Sequence, residues 1–440
     1  MTSTGPIRWM PSDQVMNSKC PVCGTSGDQP HVLDMSVATS PEGPLHLLRC
    51  TGCGSGYVHE FRYPDYQNYE ITKEAVRFYV EQGAGMDILS RPATLAHKTG
   101  ARNYLEIGCG FGFGVDFAAR TFDMNARGID PAPQAKAGRD ALGIDIVPDY
   151  LTSESASVFG LQDMIVAMEV IEHIVEPQPF LKMIKDNLTP QGIVVMSTPN
   201  VAALAERESQ MLLPVLSPGF HAILFSAEAL KNEFLKAGFG YAAVRDEPTS
   251  LLVVATVDGR EISPDLEIDG EAFATYTGDR MATVSGDDSL WSGFAYRHFK
   301  ALVNFGFYDR AREALGGLRK EYLARFDIDI GNPALFAARY HIETERMRKG
   351  EKVSDWRANA PFHICNLFYF IGVLKMNTIG EEAAFDYFWA AVRVAEGQMA
   401  YYKAGGYGDG ETEVLACYSS LYLARCALSR AGEVGDASSL

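Results

Sequence analysis

From residue 101 onward the chain alternates short apolar runs with amphipathic stretches. The runs are Tyr104–Gly108, Ala126–Asp130, Met164–Ile171, Gly192–Pro199 and Ser250–Val257. Between them, Pro179–Pro190 and Ala227–Phe239 carry apolar residues at helical spacing. Strands that alternate with helices predict βαβ units and a mostly parallel sheet. The span 63–98, with Tyr66, Tyr69, Phe78 and Tyr79 among charged residues, also reads as helical. Asp258–Gly286 has few large aliphatic residues and reads as a linker. After Leu290 nearly everything has helical period.

The last third holds an internal echo. Phe299, Leu302, Gly306, Tyr308 and Ala311 match the spacing of a tetratricopeptide helix pair, as do Ile371, Leu374, Gly380, Ala384 and Phe388. Small residues at a crossing let two helices approach, and aromatics fill the groove. The separation of Gly306 and Gly380 is no clean multiple of the repeat length, so the stretch is read as an all-helical domain whose repeat, if any, is degenerate. The expected organisation is a cysteine lobe over 1–62, an α/β domain over 63–257, a linker over 258–289 and a helical domain over 290–440.

Charge narrows the partners. Lys+Arg number 39 and Asp+Glu 56, a formal charge of −17. Such a surface repels phosphate backbones and anionic membranes, and no basic patch offsets it. Neither nucleic acid nor membrane is therefore expected as a partner. The start lacks a basic region followed by an apolar run, and the longest apolar stretch, Ile364–Met376, is broken by Cys365, Asn366 and Lys375. A cytoplasmic location is the expectation.

Four of the eight cysteines form two C-x-x-C knuckles, Cys20–Cys23 and Cys50–Cys53, with 26 residues between them. Four thiolates suit tetrahedral Zn²⁺, and Gly24 and Gly54 let the backbone fold around each knuckle. Four cysteines leave no open position for water, so the expected zinc is structural.

Glu106-Ile-Gly108-Cys109-Gly110 follows an expected strand, and a helix is expected from about Val115. The glycines let backbone approach a ligand, and the helix start offers unpaired N–H groups to a carboxylate or phosphate. Asp130 ends the next strand, where a carboxylate can hold two ribose hydroxyls. A nicotinamide dinucleotide site would want G-x-G-x-x-G, which glycines at 108, 110, 112 and 114 do not match cleanly.

Leu105–Gly110, then Asp130, then Asp163–His173 resemble the ordered motifs of class I S-adenosylmethionine-dependent methyltransferases over roughly residues 66–257. The resemblance implies a doubly wound, Rossmann-like sheet of seven strands with the strand near Leu251–Val257 antiparallel. It also implies that Glu106, Gly108, Cys109 and Gly110 line the amino-acid end of S-adenosylmethionine, that Asp130 takes the ribose, and that Met168 and Glu169 border the sulfonium. Met168–His173 is similar to a segment of ubiquinone-pathway O-methyltransferases, which implies a divalent cation at Glu169, Glu172 and His173. Helix capping by Glu172-His173 is the alternative.

His221, in a loop before Ser226 as N-cap, is the candidate catalytic base, with a histidine bonded to local backbone as the alternative. Tyr66 and Tyr69 are candidates for covering the cofactor. A four-cysteine lobe ahead of this domain resembles deoxysugar C-methyltransferases, in which the loop matching Gly219–Ser226 carries a Tyr, a Glu and a His. Here only His221 is matched. The expected acceptor is a small polar molecule, a sugar derivative or natural-product intermediate, methylated at oxygen or carbon. The alternatives are a zinc-ribbon RNA methyltransferase, disfavoured by charge, and a cofactor-binding scaffold acting through the helical domain. That domain is also the expected surface for a homodimer or partner protein.

Overall fold

The computed structural model describes residues 7–36, 43–67, 72–82, 85–207, 212–351, 359–405 and 410–437. Tyr69 lies outside them. The chain divides into two compact units, residues 1–71 with 86–268, and residues 72–85 with 269–440.

The first unit holds two sheets. Strands β1 (Ile7–Trp9), β2 (Val15–Lys19), β3 (Ser26–Met35), β4 (Leu45–Arg49) and β5 (Gly56–Val58) come from the N-terminal lobe. The larger sheet contains β6 (Asn103–Ile107), β7 (Asn125–Ile129), β8 (Ile146–Val147), β9 (Gln162–Met168) and β10 (Leu188–Pro199). After a short β11 (Ile223–Leu224), β12 (Tyr241–Asp246) and β13 (Ser250–Thr256) complete it. Its order is β12-β13-β10-β9-β6-β7-β8. Strands β6 to β10 pair in parallel, and β13 runs antiparallel to both β10 and β12. The expected antiparallel strand is present. β12 was not among the expected strands; its burial is partial and its apolar run short.

The order reverses between β6 and β9. A crevice therefore opens beyond the carboxyl end of β6, where ligands bind in open α/β sheets. Val194, Val195, Met196, Val253 and Val254 fill the sheet interior without exposure.

Helix α1 (Lys73–Gln82) belongs to the second unit, whereas α2 (Met86–Thr99), α3 (Phe113–Phe122), α4 (Pro133–Leu142), α5 (Ser153–Phe159), α6 (Pro177–Asp186), α7 (Leu212–Leu216) and α8 (Ala227–Lys236) belong to the first. The span read as helical from residue 63 is irregular through Tyr66 and helical only from Lys73.

The second unit is helical: α9 (Gly270–Thr283), α10 (Asp288–Asn304), α11 (Tyr308–Phe326), α12 (Pro333–Arg348), α13 (Ile364–Thr378), α14 (Glu381–Gly405) and α15 (Gly410–Ala437). The stretch read as a linker thus contains α9, capped by Asp269 and buried through Phe273, Ala274, Tyr276 and Thr277. One turn of medium and aromatic residues supplies its apolar face, so a search for aliphatic runs misses it. Gly306 and Gly380, both at positive φ, separate α10 from α11 and α13 from α14. Both are the turns of antiparallel helix pairs. Helix α1 is held by a buried group: Glu81 pairs with Arg77 and accepts from the Phe362 amide, while His363 Nδ1 donates to the Glu81 carbonyl. Among the described residues no helix is long and apolar enough to cross a membrane.

Candidate functional site

The glycine turn is built by backbone geometry that side chains oppose. Gly108, Gly110 and Gly112 have φ of 67°, 54° and 88°, in the left-handed region that glycine tolerates. A Cβ at Gly108 would also lie 2.5 Å from Val170 Cγ2. The turn therefore abuts the corner after β9. Gly112 is the N-cap of α3 and, as a glycine, supplies no capping side chain.

Asp130 closes the turn from the neighbouring strand. Its Oδ2 accepts from the Gly110 amide at 2.8 Å and its Oδ1 from the Ala132 amide at 2.7 Å. Each carboxylate oxygen retains capacity for a further donor. Burial raises its pKa, against the two amides that lower it.

Glu106 lies under the turn and is 1% exposed. Burial, and next the charge of Asp130, push it up to about 8, while a hydrogen bond from the Val115 amide pulls it down. Its Oε2 has no hydrogen-bond partner among the described residues. A Cβ at Gly114 would overlap that oxygen, so Gly114 makes the room Glu106 occupies. The Cys109 side chain is also buried, and its Sγ would be 2.6 Å from a Cβ at Gly128. Cys109 can offer a ligand only its backbone.

Met168 ends β9, and Glu169 follows at φ 56°, with its Oε1 accepting from Ser197 Oγ at 2.6 Å. That bond occupies one oxygen of Glu169, whose charge adds to the burial that raises the pKa of Glu172. Glu172 is fully buried, and neither carboxylate oxygen has a hydrogen-bond partner among the described residues. His173 Nε2 and His221 Nε2 each lie 3.9 Å from its Oε1. His221 Nδ1 donates to the Val215 carbonyl and His173 Nδ1 to the Phe220 carbonyl, each at 2.8 Å. Those bonds place the imidazole lone pairs on Nε2, toward Glu172. Desolvation, and then His173, lower His221 to about 4, so its ring is neutral at neutral pH. Of the cation set expected at Glu169, Glu172 and His173, the last two join His221 in a group whose ligand atoms lie within 4.8 Å of one another. The expected loop histidine is present, with its Nδ1 on local backbone.

Tyr66 completes this corner. Its hydroxyl is 2.9 Å from His173 Nδ1, and its ring lies 6.0 Å from that of Phe220. Burial raises the pKa of Tyr66, with Glu172 and Asp130 among the charges that add to it. It therefore stands near both carboxylates.

In the N-terminal lobe the four cysteine sulfurs converge. Cys20 and Cys53 Sγ are 3.8 Å apart, and Cys23 and Cys50 Sγ 3.4 Å. Thiolates at about 2.3 Å around a tetrahedral ion stand about 3.8 Å apart, so the donor set fits Zn²⁺. Gly24 and Gly54, at positive φ, return their amides to the carbonyls of Cys20 and Cys50. The lobe also reaches the His221 loop. Strand β5 pairs with β11, and Ser226 Oγ, besides capping α8, donates to the Cys53 carbonyl at 2.8 Å. The Ala222 amide donates to the Glu172 carbonyl at 2.8 Å. Sequence spacing gives no sign of these links, because they join residues 50 or more positions apart.

A group missed in the sequence lies on the same lobe. Asp34 Oδ1 accepts from His31 Nε2 at 2.8 Å and His46 Nδ1 at 2.6 Å, and its Oδ2 pairs with Arg8. Cross-strand register sets Arg8, Asp34 and His46 side by side. Both carboxylate oxygens are thus engaged within the group.

Residues 82–244 match the family model described as a methyltransferase domain. Over 126 residues the chain is 33% identical to the ubiquinone biosynthesis O-methyltransferase of Dinoroseobacter shibae, covering 27% of this chain and 50% of that protein. Over 147 residues it is 32% identical to the protein of the same name from Azorhizobium caulinodans, covering 31% and 57%. The chain spans about half the length of these curated relatives. Among solved structures it is similar to an O-methyltransferase family protein from Burkholderia thailandensis, at 15% identity and a TM-score of 0.33, covering 43% of this chain and 59% of that one. The seven-stranded sheet is that of the methyltransferase fold expected from the sequence.

Proposed function

We propose that the chain is an S-adenosylmethionine-dependent methyltransferase acting on a hydroxyl of a small acceptor. One observation carries the reading of its chemistry: a fully buried carboxylate, Glu172, with neither oxygen hydrogen-bonded among the described residues and two imidazole Nε2 atoms turned toward it. Leaving such a carboxylate without a partner is costly, and a cation offsets that cost. Two neutral imidazoles and one carboxylate are a donor set suited to a divalent cation. When bound, that cation would lower the pKa of an acceptor hydroxyl. Glu172, His173 and His221 would hold it. A histidine held near pKa 4 is a weak base for a hydroxyl, which favours a ligand role for His221 over direct proton removal.

S-adenosylmethionine, when bound, supplies the methyl group. Asp130 faces the expected ribose position, and the backbone of Gly108–Gly110 allows close approach of the amino-acid end. Val170, resting on Gly108, joins the cofactor turn to the Glu172 corner. Tyr66 and Phe220 give that corner aromatic walls. They favour a flat aromatic acceptor such as a phenol. A sugar acceptor is the second reading, favoured by the four-cysteine lobe and its contact with the His221 loop.

The test is transfer from methyl-labelled S-adenosylmethionine to panels of phenols and nucleotide sugars, followed by mass spectrometry, with and without chelation and added Mg²⁺, Mn²⁺ or Zn²⁺. Phenol methylation that chelator abolishes and a divalent ion restores is the expected result. Labelled nucleotide sugar would establish the second reading. Calorimetry showing binding of neither S-adenosylmethionine nor its demethylated product would refute both.

A further inference from the structure

The last helix, α15, presents two apolar sides. One is packed within its own unit: Leu415 and Cys426 are buried, and Tyr422 stacks on Phe388 of α14 with 5.2 Å between ring centroids. The other faces outward. Ten positions between 414 and 429 are exposed, and Arg425 alone among them is charged. Val414, Tyr418, Leu421 and Leu428 are 51%, 48%, 67% and 74% exposed. With Arg425 they recur at steps of four, three, four and three, the spacing of a coiled-coil seam. A solvated helix side ordinarily carries many charges, and a helix apolar all round is normally buried.

We infer that this face of α15 pairs antiparallel with the same face of a second copy of the chain. The stripe is self-complementary about Leu421. Val414 and Leu428 lie seven residues to either side, so a two-fold axis at Leu421 sets each against the other. The same operation sets the large Tyr418 over the small Ala424. Charge selects the direction. Parallel pairing would place Arg425 beside its mate, whereas antiparallel pairing separates the two by about 12 Å along the axis. The guanidinium is also engaged within its own unit, on Glu381. A chain of net charge −17 repels its own copies over most of its surface, and this nearly uncharged face is where two can meet. The pairing is independent of the proposed chemistry.

Sedimentation velocity of the full chain should show a dimer, and Leu421→Glu should give a monomer with an unchanged circular dichroism spectrum. In a Cys417→Ser background, Leu421→Cys should form a disulfide-linked dimer under mild oxidation. Val414→Cys should not link to itself but should link to Leu428→Cys when the two variants are mixed. A monomeric wild type overturns the inference. So does a dimer that survives Leu421→Glu without linking at Leu421→Cys, which would use another face, or self-linking by Val414→Cys, which would mark a parallel pair. If Leu421→Glu fails to fold, the cysteine pairs alone decide.

Discussion

Glu106 is a carboxyl group placed where ionisation is expensive, and Glu106→Gln reads that expense directly. The side chain is 1% exposed and is pushed from the ordinary value near 4.5 up to about 8. In the folded protein it holds its proton until the pH nears 8, whereas the unfolded chain releases it near 4.5. Between those values the folded state carries more protons, so raising the pH favours unfolding. Its contribution is fully present below about pH 4.5 and is lost as the pH climbs to about 8. The gap corresponds to about 5 kcal/mol at most. Glutamine fills the same space without titrating, and any loss from its unpaired amide is the same at every pH.

Denaturant unfolding of the ligand-free protein at pH 5 and pH 8 is the assay. The wild type should lose about 2–5 kcal/mol more than Glu106→Gln over that interval. A cationic ligand should draw the proton off, so binding of S-adenosylmethionine at pH 7 should release protons from the wild type and fewer from the variant. Calorimetry in buffers of different ionisation enthalpy measures that release. Equal pH slopes for the two proteins would refute the reasoning, because they would mean that Glu106 is solvated or already ionised.

Gly114→Ala should destabilise the fold by about 1–3 kcal/mol, since the added methyl meets a carboxylate that cannot move aside. Adding Glu106→Ala should recover part of that loss in thermal melts. Asp130→Ala should weaken cofactor binding in calorimetry and also cost about 1–3 kcal/mol for each amide it leaves unpaired, at Gly110 and Ala132. Asp130→Asn, which keeps one acceptor, should fall between; a variant with wild-type stability would show that those amides find water. Cys50→Ser should abolish the bound zinc seen by elemental analysis and lower the melting temperature. A wild type that purifies without metal would remove zinc from the lobe.

Local features of the site were legible where the chemistry is contiguous. Glu106, Gly108 and Gly110 sit within five residues, and Asp130 ends the neighbouring strand, so the strand–turn–helix pattern was enough to place them. The two cysteine knuckles announced themselves in the same way. The reading was coarser where a side chain's direction matters. Cys109 lies in the turn and Glu106 just before it, yet one is buried against Gly128 of β7 and the other under Gly114 of α3, facts set by the neighbouring strand and helix. Glu169 looked equivalent to Glu172 as a carboxylate on the same corner. The left-handed backbone at Glu169 sets its direction, and the hydroxyl of Ser197 occupies one of its oxygens. Helix α9 escaped because its buried face uses Phe273, Ala274, Tyr276 and Thr277 without an aliphatic run.

The pairing of His221 with Glu172 was the least visible feature, and its cause is topological. Glu172 and His173 sit in the turn after β9, while His221 stands 48 positions further along, beyond α7. Three separate restraints bring the loop back: Val215 holds the ring, the Ala222 amide holds Glu172 by its carbonyl, and β11 joins the sheet of the N-terminal lobe. The last two fix the backbone immediately after the imidazole. One of those anchors leads straight to a cysteine knuckle, through Ser226 and the Cys53 carbonyl. A metal held by the knuckles would therefore do more than stabilise a small lobe. It would fix the strand edge against which the His221 loop is registered, and a loop otherwise free to shift would keep its Nε2 on Glu172. The cost of losing that metal should then fall on turnover more than on cofactor affinity, because the glycine turn and Asp130 are built by the large sheet alone.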